Sequence, residues 1–141
     1  MFSPRVDLAI TTMLEAHGLA RRKAGLGFEA THVLSVAMIV GDYGFSEDAV
    51  IAAVLHDAIE DTALPRDVIR QQFGERVLAI VDDVTEPPKT VPWRARKETY
   101  IEHLRQSPRD EARAVASADK IHNLCDMVTG FETLGRAFAD A

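Results

Sequence analysis

Residues 49–57, Ala49-Val50-Ile51-Ala52-Ala53-Val54-Leu55-His56-Asp57, decide how this chain is read. Seven apolar side chains in succession leave no polar face on a helix, and a helix that is apolar all round is a buried one. Ser46 stands in front of the run as a cap residue. An imidazole and a carboxylate then arrive together at the end of the most apolar segment in the chain, with Glu60-Asp61 close behind. An isolated charge in such surroundings costs several kcal/mol or more and normally persists only when paired or bound to a metal.

The flanking sequence is helical almost throughout. Ser3 caps a first helix with Pro4 in its first turn, running to about His17. Gly18 to Ala30 carries three glycines and the basic triplet Arg21-Arg22-Lys23, and reads as a loop. Thr31 is the expected cap of a second helix through about Asp42, apolar on most faces from Val33 to Val40 and therefore buried. A short helix near Pro65 to Phe73, a break at Gly74 and a helix from about Glu75 to Thr85 follow. Pro87, Pro88 and Pro92 make 86–92 a rigid loop. Beyond it the sequence predicts a helix from Trp93 to Arg105, a long one from Ser107-Pro108 to about Met127, and a weak final segment, Phe131 to Ala141. No strand pattern or internal repeat is visible, so the expected fold is all-α.

At 141 residues the chain fits a single domain with room for a sizeable core. The formal net charge of −6 offers no electrostatic footprint for nucleic acid. A single cysteine, Cys125, excludes an internal disulfide and a cysteine-based zinc cage, and reads as a small core residue in a reducing compartment. No run approaches the ~18 apolar residues of a membrane span, and Met1-Phe2-Ser3-Pro4 does not begin a signal peptide. The expectation is a cytoplasmic protein with no membrane or nucleic-acid partner; a homo-oligomer stays open.

Four residues are candidate metal ligands, His32, His56, Asp57 and Asp119, converging from three helices. Imidazole with carboxylate oxygen suits a borderline divalent ion such as Mn, Fe or Zn. His56 and Asp57 point about 100° apart on a helix, so they share one ion only if it sits beyond the helix end. The small neighbours Ala112, Val115 and Ala116 let the helix of Asp119 approach closely. Taken singly these residues have plainer readings: His32 as a capping or core histidine, Asp119 as half of an ion pair with Lys120, Glu60-Asp61-Thr62 as a turn. His17, His103 and His122 read as peripheral.

The order His32, His56-Asp57, Asp119 resembles the HD superfamily of metal-dependent phosphohydrolases, and most closely the hydrolase domain of RelA/SpoT-type enzymes and the stand-alone small alarmone hydrolases. Leu55-His56-Asp57-Ala58-Ile59-Glu60-Asp61-Thr62 is similar to the HD-plus-ED signature of that family. Ser117-Ala118-Asp119-Lys120-Ile121-His122-Asn123-Leu124 is similar to its A-D-K-x-x-N segment. Phe73-Gly74, Val84-Thr85 and the helix bearing Trp93, Arg96, Lys97 and Tyr100 also fall where relatives have counterparts.

The resemblance implies a compact HD-domain helical bundle of about six to eight helices around a central metal site, filling 1–141 as one domain with a shortened C-terminal helix. It implies a Mn²⁺-dependent pyrophosphohydrolase that removes the 3′-diphosphate of (p)ppGpp-like alarmones, giving GDP or GTP and pyrophosphate. On the matching positions, His32, His56, Asp57 and Asp119 hold the metal, while Glu60 and Asp61 handle the water or the leaving oxygen. By the same resemblance Arg22, Lys23, Asn123 and Lys97 would contact the nucleotide; their plainer readings are a solvated basic loop for Arg22-Lys23, a helix-surface amide for Asn123 and i,i+4 pairing within a charged helix for Lys97. Phe28-Glu29-Ala30-Thr31-His32-Val33 departs from the family's P-Y-I and H-P pattern, which leaves the base pocket unassigned. Two other readings stand beside this one: a broader nucleotide phosphohydrolase acting on deoxynucleotides or NADPH, and a catalytically idle regulatory module.

Overall fold

The computed structural model describes residues 1–23 and 27–140. Among them the chain forms nine helices: α1 (Pro4–His17), α2 (Glu29–Asp42), α3 (Glu47–Leu55), α4 (Ala58–Asp61), α5 (Arg66–Phe73), α6 (Glu75–Val84), α7 (Trp93–Gln106), α8 (Asp110–Leu134) and α9 (Arg136–Ala139). The only extended pairing among the described residues is one bridge, Arg21 with Phe28. Residues 24–26 of the expected 18–30 loop, and Ala141 of the final segment, lie outside the described residues.

Helix α3 is the axis of the molecule. Every residue from Ala49 to Leu55 is buried, and α1, α2, α6 and α8 all pack on it. Ser46 caps it, its Oγ accepting from Ala49 N at 3.2 Å. Complete burial of each Val, Ile or Leu side chain contributes about 1.5–3 kcal/mol, so this run anchors the core.

Helix α2 departs from the sequence reading in two ways. It starts at Glu29, with Phe28 in the cap position and no side-chain cap bond, so Thr31 lies inside the first turn. Backbone pairing replaces the missing side-chain cap, with Glu29 N donating to Ala20 O at 2.9 Å beside the Arg21–Phe28 bridge. Nor is α2 buried on all sides, because Val33, Val36 and Val40 face the core while Met38 faces solvent.

The long helix α8 begins two residues after Pro108 and runs past Met127 to Leu134. It stops at Gly135, whose φ of +60° favours glycine and whose N–H bonds to Phe131 O at 2.8 Å. Phe131 therefore belongs to α8, and Cys125, expected in the core, lies exposed on its outer surface. Buried Asp83 on α6 fixes where α8 begins. Its Oδ2 accepts from Ser107 Oγ at 2.6 Å and from Arg109 Nη1 at 2.8 Å, while Arg113 Nη1 donates to Ser107 O at 2.7 Å. Among the described residues, no helix is long and apolar enough to cross a membrane.

Candidate metal centre

Three helices bring the four candidate ligands together. His32 comes from the first turn of α2, His56 and Asp57 from the end of α3, and Asp119 from the middle of α8. Helix α3 stops at Leu55, and Asp57 adopts φ −91°, ψ −7°, a bend that lets both its neighbour and itself reach forward. His32 Nε2 lies 3.0 Å from Asp119 Oδ1, and His56 Nε2 lies 3.3 Å from Asp57 Oδ1. The remaining oxygens close the group at 3.7 Å, Asp119 Oδ1 to His56 and Asp57 Oδ2 to His32. One ligand atom from each of His32, His56 and Asp119 falls within 4.8 Å of the others.

The donor set fits a divalent cation. His56 Nδ1 donates to Ala53 O at 2.7 Å, which fixes the tautomer and turns the Nε2 lone pair toward the cluster. That buried Nε2 has no hydrogen-bond partner among the described residues, its approach to Asp57 lacking hydrogen-bond geometry. A buried polar atom left so is costly, and a cation satisfies it. His32 Nδ1 is likewise engaged, 2.8 Å from His122 Nδ1, which frees its Nε2.

Electrostatics favours positive charge here. Burial pushes the His56 imidazole down, yet Asp57 and Asp119 outweigh it and raise its pKa to about 9. Burial also pushes Asp119 up, and the hydrogen bond from His32, with the nearby His56 imidazole and Lys120, overcomes this and holds the carboxyl well below its usual range.

In front of the ligands lies a cavity of about 650 Å³, lined by nine of the ten site residues picked out in the sequence. The tenth, His56, sits buried behind them. Glu60 accepts from Glu86 N, and burial, more than that bond opposes, raises its pKa above the ordinary carboxylate value. Asp61 accepts from Lys89 Nζ at 3.2 Å. Arg22 is no free surface cation: it donates to Asn123 Oδ1 at 2.6 Å and pairs with Asp126 at 2.8 Å and Glu29 at 3.2 Å. Asn123 Nδ2 in turn donates to Asp119 Oδ1 at 2.7 Å. Lys23 sits exposed at the rim, Lys97 and Arg96 share the carboxylate of Glu86, and Lys120 pairs with the outer oxygen of Asp119 at 2.8 Å.

Two histidines read as peripheral are placed otherwise. His122 stands against His32, and buried His17 lines the cavity, its Nε2 without a hydrogen-bond partner among the described residues. Spacing was a usable signal for His122, because positions three and seven beyond Asp119, His122 and Asp126, share a helix face. His17 closes α1 in front of Gly18, and nothing in its local sequence marks it. His103 is exposed beside Asp83, an ordinary surface role.

Residues 9–136 match the family model described as HD domain. A guanosine-3′,5′-bis(diphosphate) 3′-pyrophosphohydrolase of Haemophilus influenzae is 33% identical over 115 residues, covering 78% of this chain and 17% of its own length. The enzyme of the same name from Xenopus tropicalis is 40% identical over 98 residues, covering 68% of this chain and 54% of that protein. This chain thus spans under a fifth of the bacterial relative and about half of the animal one. A solved structure described as a metazoan ortholog of SpoT that hydrolyses ppGpp superposes with a TM-score of 0.82 at 28% identity, over 92% of this chain and 73% of that one. A Listeria monocytogenes structure matches with a TM-score of 0.67 at 39% identity, over 74% of this chain and 66% of that one. With the model match running almost end to end, the chain belongs to the HD-domain family.

Proposed function

We propose that this protein is a metal-dependent pyrophosphohydrolase acting on (p)ppGpp-like nucleotides, with Mn²⁺ held by His32, His56, Asp57 and Asp119. The observation that carries the reading is one cavity in which a cation-seeking cluster, two further carboxylates and a basic rim meet. The relatives named for guanosine-3′,5′-bis(diphosphate) 3′-pyrophosphohydrolase activity support the substrate class.

The ion, when bound, supplies Lewis acidity, lowering the pKa of a water and neutralising phosphate charge. The protein's own groups do the rest. Glu60, its pKa raised above the ordinary carboxylate value by burial, is placed to exchange a proton, taking it from water or giving it to the leaving 3′-oxygen. Asp61, tethered by Lys89, orients the same water. In the overall step a water oxygen bonds to the phosphorus on the 3′-oxygen, that P–O bond breaks, and the 3′-oxygen is protonated. Arg22, Lys23 and Lys97 neutralise the phosphates, and Asn123, bonded to both Arg22 and Asp119, holds nucleotide and metal sides in register.

The test is turnover of guanosine 3′,5′-bis(diphosphate) with Mn²⁺, followed as GDP and pyrophosphate. Both products in equal amounts are expected. Inorganic phosphate alone, or turnover confined to deoxynucleotides or NADPH, refutes the assignment.

A further inference from the structure

Helix α8 has two faces, and the core and the cleft use only one. Ala112, Val115, Asp119, Asn123 and Asp126 point inward. On the opposite side Ala114, Ser117, Ile121, Leu124, Val128 and Phe131 recur at alternating steps of three and four, the spacing of a helix-pairing seam. The four large members are exposed: Ile121 46%, Leu124 61%, Val128 58% and Phe131 54%. Met127, which also lines the edge of the cleft, and Leu134 extend the patch along one flank. At half exposure these six side chains present on the order of 600 Å² of apolar surface, the upper end for the largest patch on a monomer. Two such faces together cover roughly 1,200 Å² before their polar neighbours are added, the area of a specific stable interface.

We propose that this face is the interface of a two-fold symmetric dimer in which α8 packs antiparallel to α8 of a second copy. Side-chain size sets the direction. The N-terminal half of the seam is small, Ala114 and Ser117, and borders a groove of about 350 Å³ lined also by Ile39, Tyr43 and Phe45. The C-terminal half is bulky. With Ile121 opposite Leu124 of the second copy, Ser117 faces its Val128 and Ala114 faces its Phe131, so each small residue meets a large one and the groove is filled. Two-fold symmetry repeats every one of these contacts. A parallel pair sets Phe131 against Phe131 and Ala114 against Ala114, crowding one end and leaving the groove open at the other. The ligand face of α8 points away from the seam, and Met127 is the one residue of the patch that also borders the cleft.

Light scattering on the full chain after size exclusion tests this, with a mass twice 15.5 kDa expected. Leu124→Glu returns the mass to that of one chain while the helical circular dichroism spectrum and Mn²⁺ affinity stay unchanged. Register is read separately in a Cys125→Ser background. Oxidation cross-links the double variant Ser117→Cys, Val128→Cys between chains, whereas Ser117→Cys alone gives none, its two copies lying about 16 Å apart at 1.5 Å per residue. A single-chain mass at every concentration, a dimer that survives Leu124→Glu, or cross-linking by Ser117→Cys alone overturns the proposal. If Leu124→Glu fails to fold, the cross-linking pair decides.

Discussion

If His56 ligates the proposed metal, proton and metal compete for the same nitrogen, and the competition has a measurable size. Without a bound metal, His56 keeps its proton up to about pH 9, against 6.5 for an ordinary imidazole. The folded value is the higher one, so the folded state binds this proton more tightly than the unfolded chain does. The stability it contributes is fully present below pH 6.5 and is lost as pH rises through about 9. That gap corresponds to about 3 kcal/mol. The sign is informative, because burial alone would give the reverse; it comes from Asp57 and Asp119. Urea unfolding in the presence of a chelator at about pH 6, 7.5 and 9 reads the effect directly. The same series on His56→Asn isolates the contribution of this residue. Mn²⁺ inverts the trend, since the ion needs the neutral imidazole: its apparent affinity rises about tenfold per pH unit up to about 9, with one proton released per ion bound. Chelated stability as flat as that of His56→Asn across this window, or metal affinity independent of pH, refutes the reasoning.

Three further outcomes follow from the geometry. Asp57→Ala abolishes Mn²⁺ binding by calorimetry, whereas Glu60→Gln keeps the ion and loses rate by about 10²–10⁴, the usual worth of a positioned acid–base group; equal metal loss in both contradicts this division of labour. Asp83→Ala leaves Ser107 and Arg109 without their shared acceptor and lowers stability by about 3 kcal/mol in denaturant titration, as breaking a buried pair does; a loss under about 0.5 kcal/mol would show that the α7–α8 corner is held otherwise. Leu55→Ala, in the core, costs about 2–5 kcal/mol by the same measurement, while exposed Met38→Gln stays within about 0.5 kcal/mol.

Much of the fold was legible because α3 carries its own instruction. A run apolar on every side has to be central, and its end has to place His56 and Asp57 inside the protein. The same inference applied to α2 overreached. Hydropathy reports that a face can be buried, while the number of neighbouring helices determines whether it is, and Met38 lies on a side left exposed among the described residues. Thr31 misled for a related reason. A good cap residue competes with any other partner for the first helical N–H groups, and here the Ala20 carbonyl and the Arg21–Phe28 bridge fix the start of α2 three residues earlier.

The site shows how local periodicity and long-range contact divide the information. Residues that share a helix face with a ligand are readable from spacing, so the step from Asp119 to His122, Asn123 and Asp126 lay open in the sequence. Which partner each meets was not readable, because His32 and Arg22 come from segments some ninety to a hundred residues away. Once those partners are placed, they link the two halves of the site. Arg22 bonds to Asn123 and Asp126, Asn123 bonds to Asp119, and His122 bonds to His32. On the proposed assignment, a nucleotide drawn to Arg22 would pull on groups that hold two of the proposed metal ligands, Asp119 and His32. Arg22→Ala should then weaken Mn²⁺ binding several-fold with no nucleotide present, although the guanidinium touches no ligand itself. Unchanged metal affinity in that variant would show that the basic rim and the metal centre act independently.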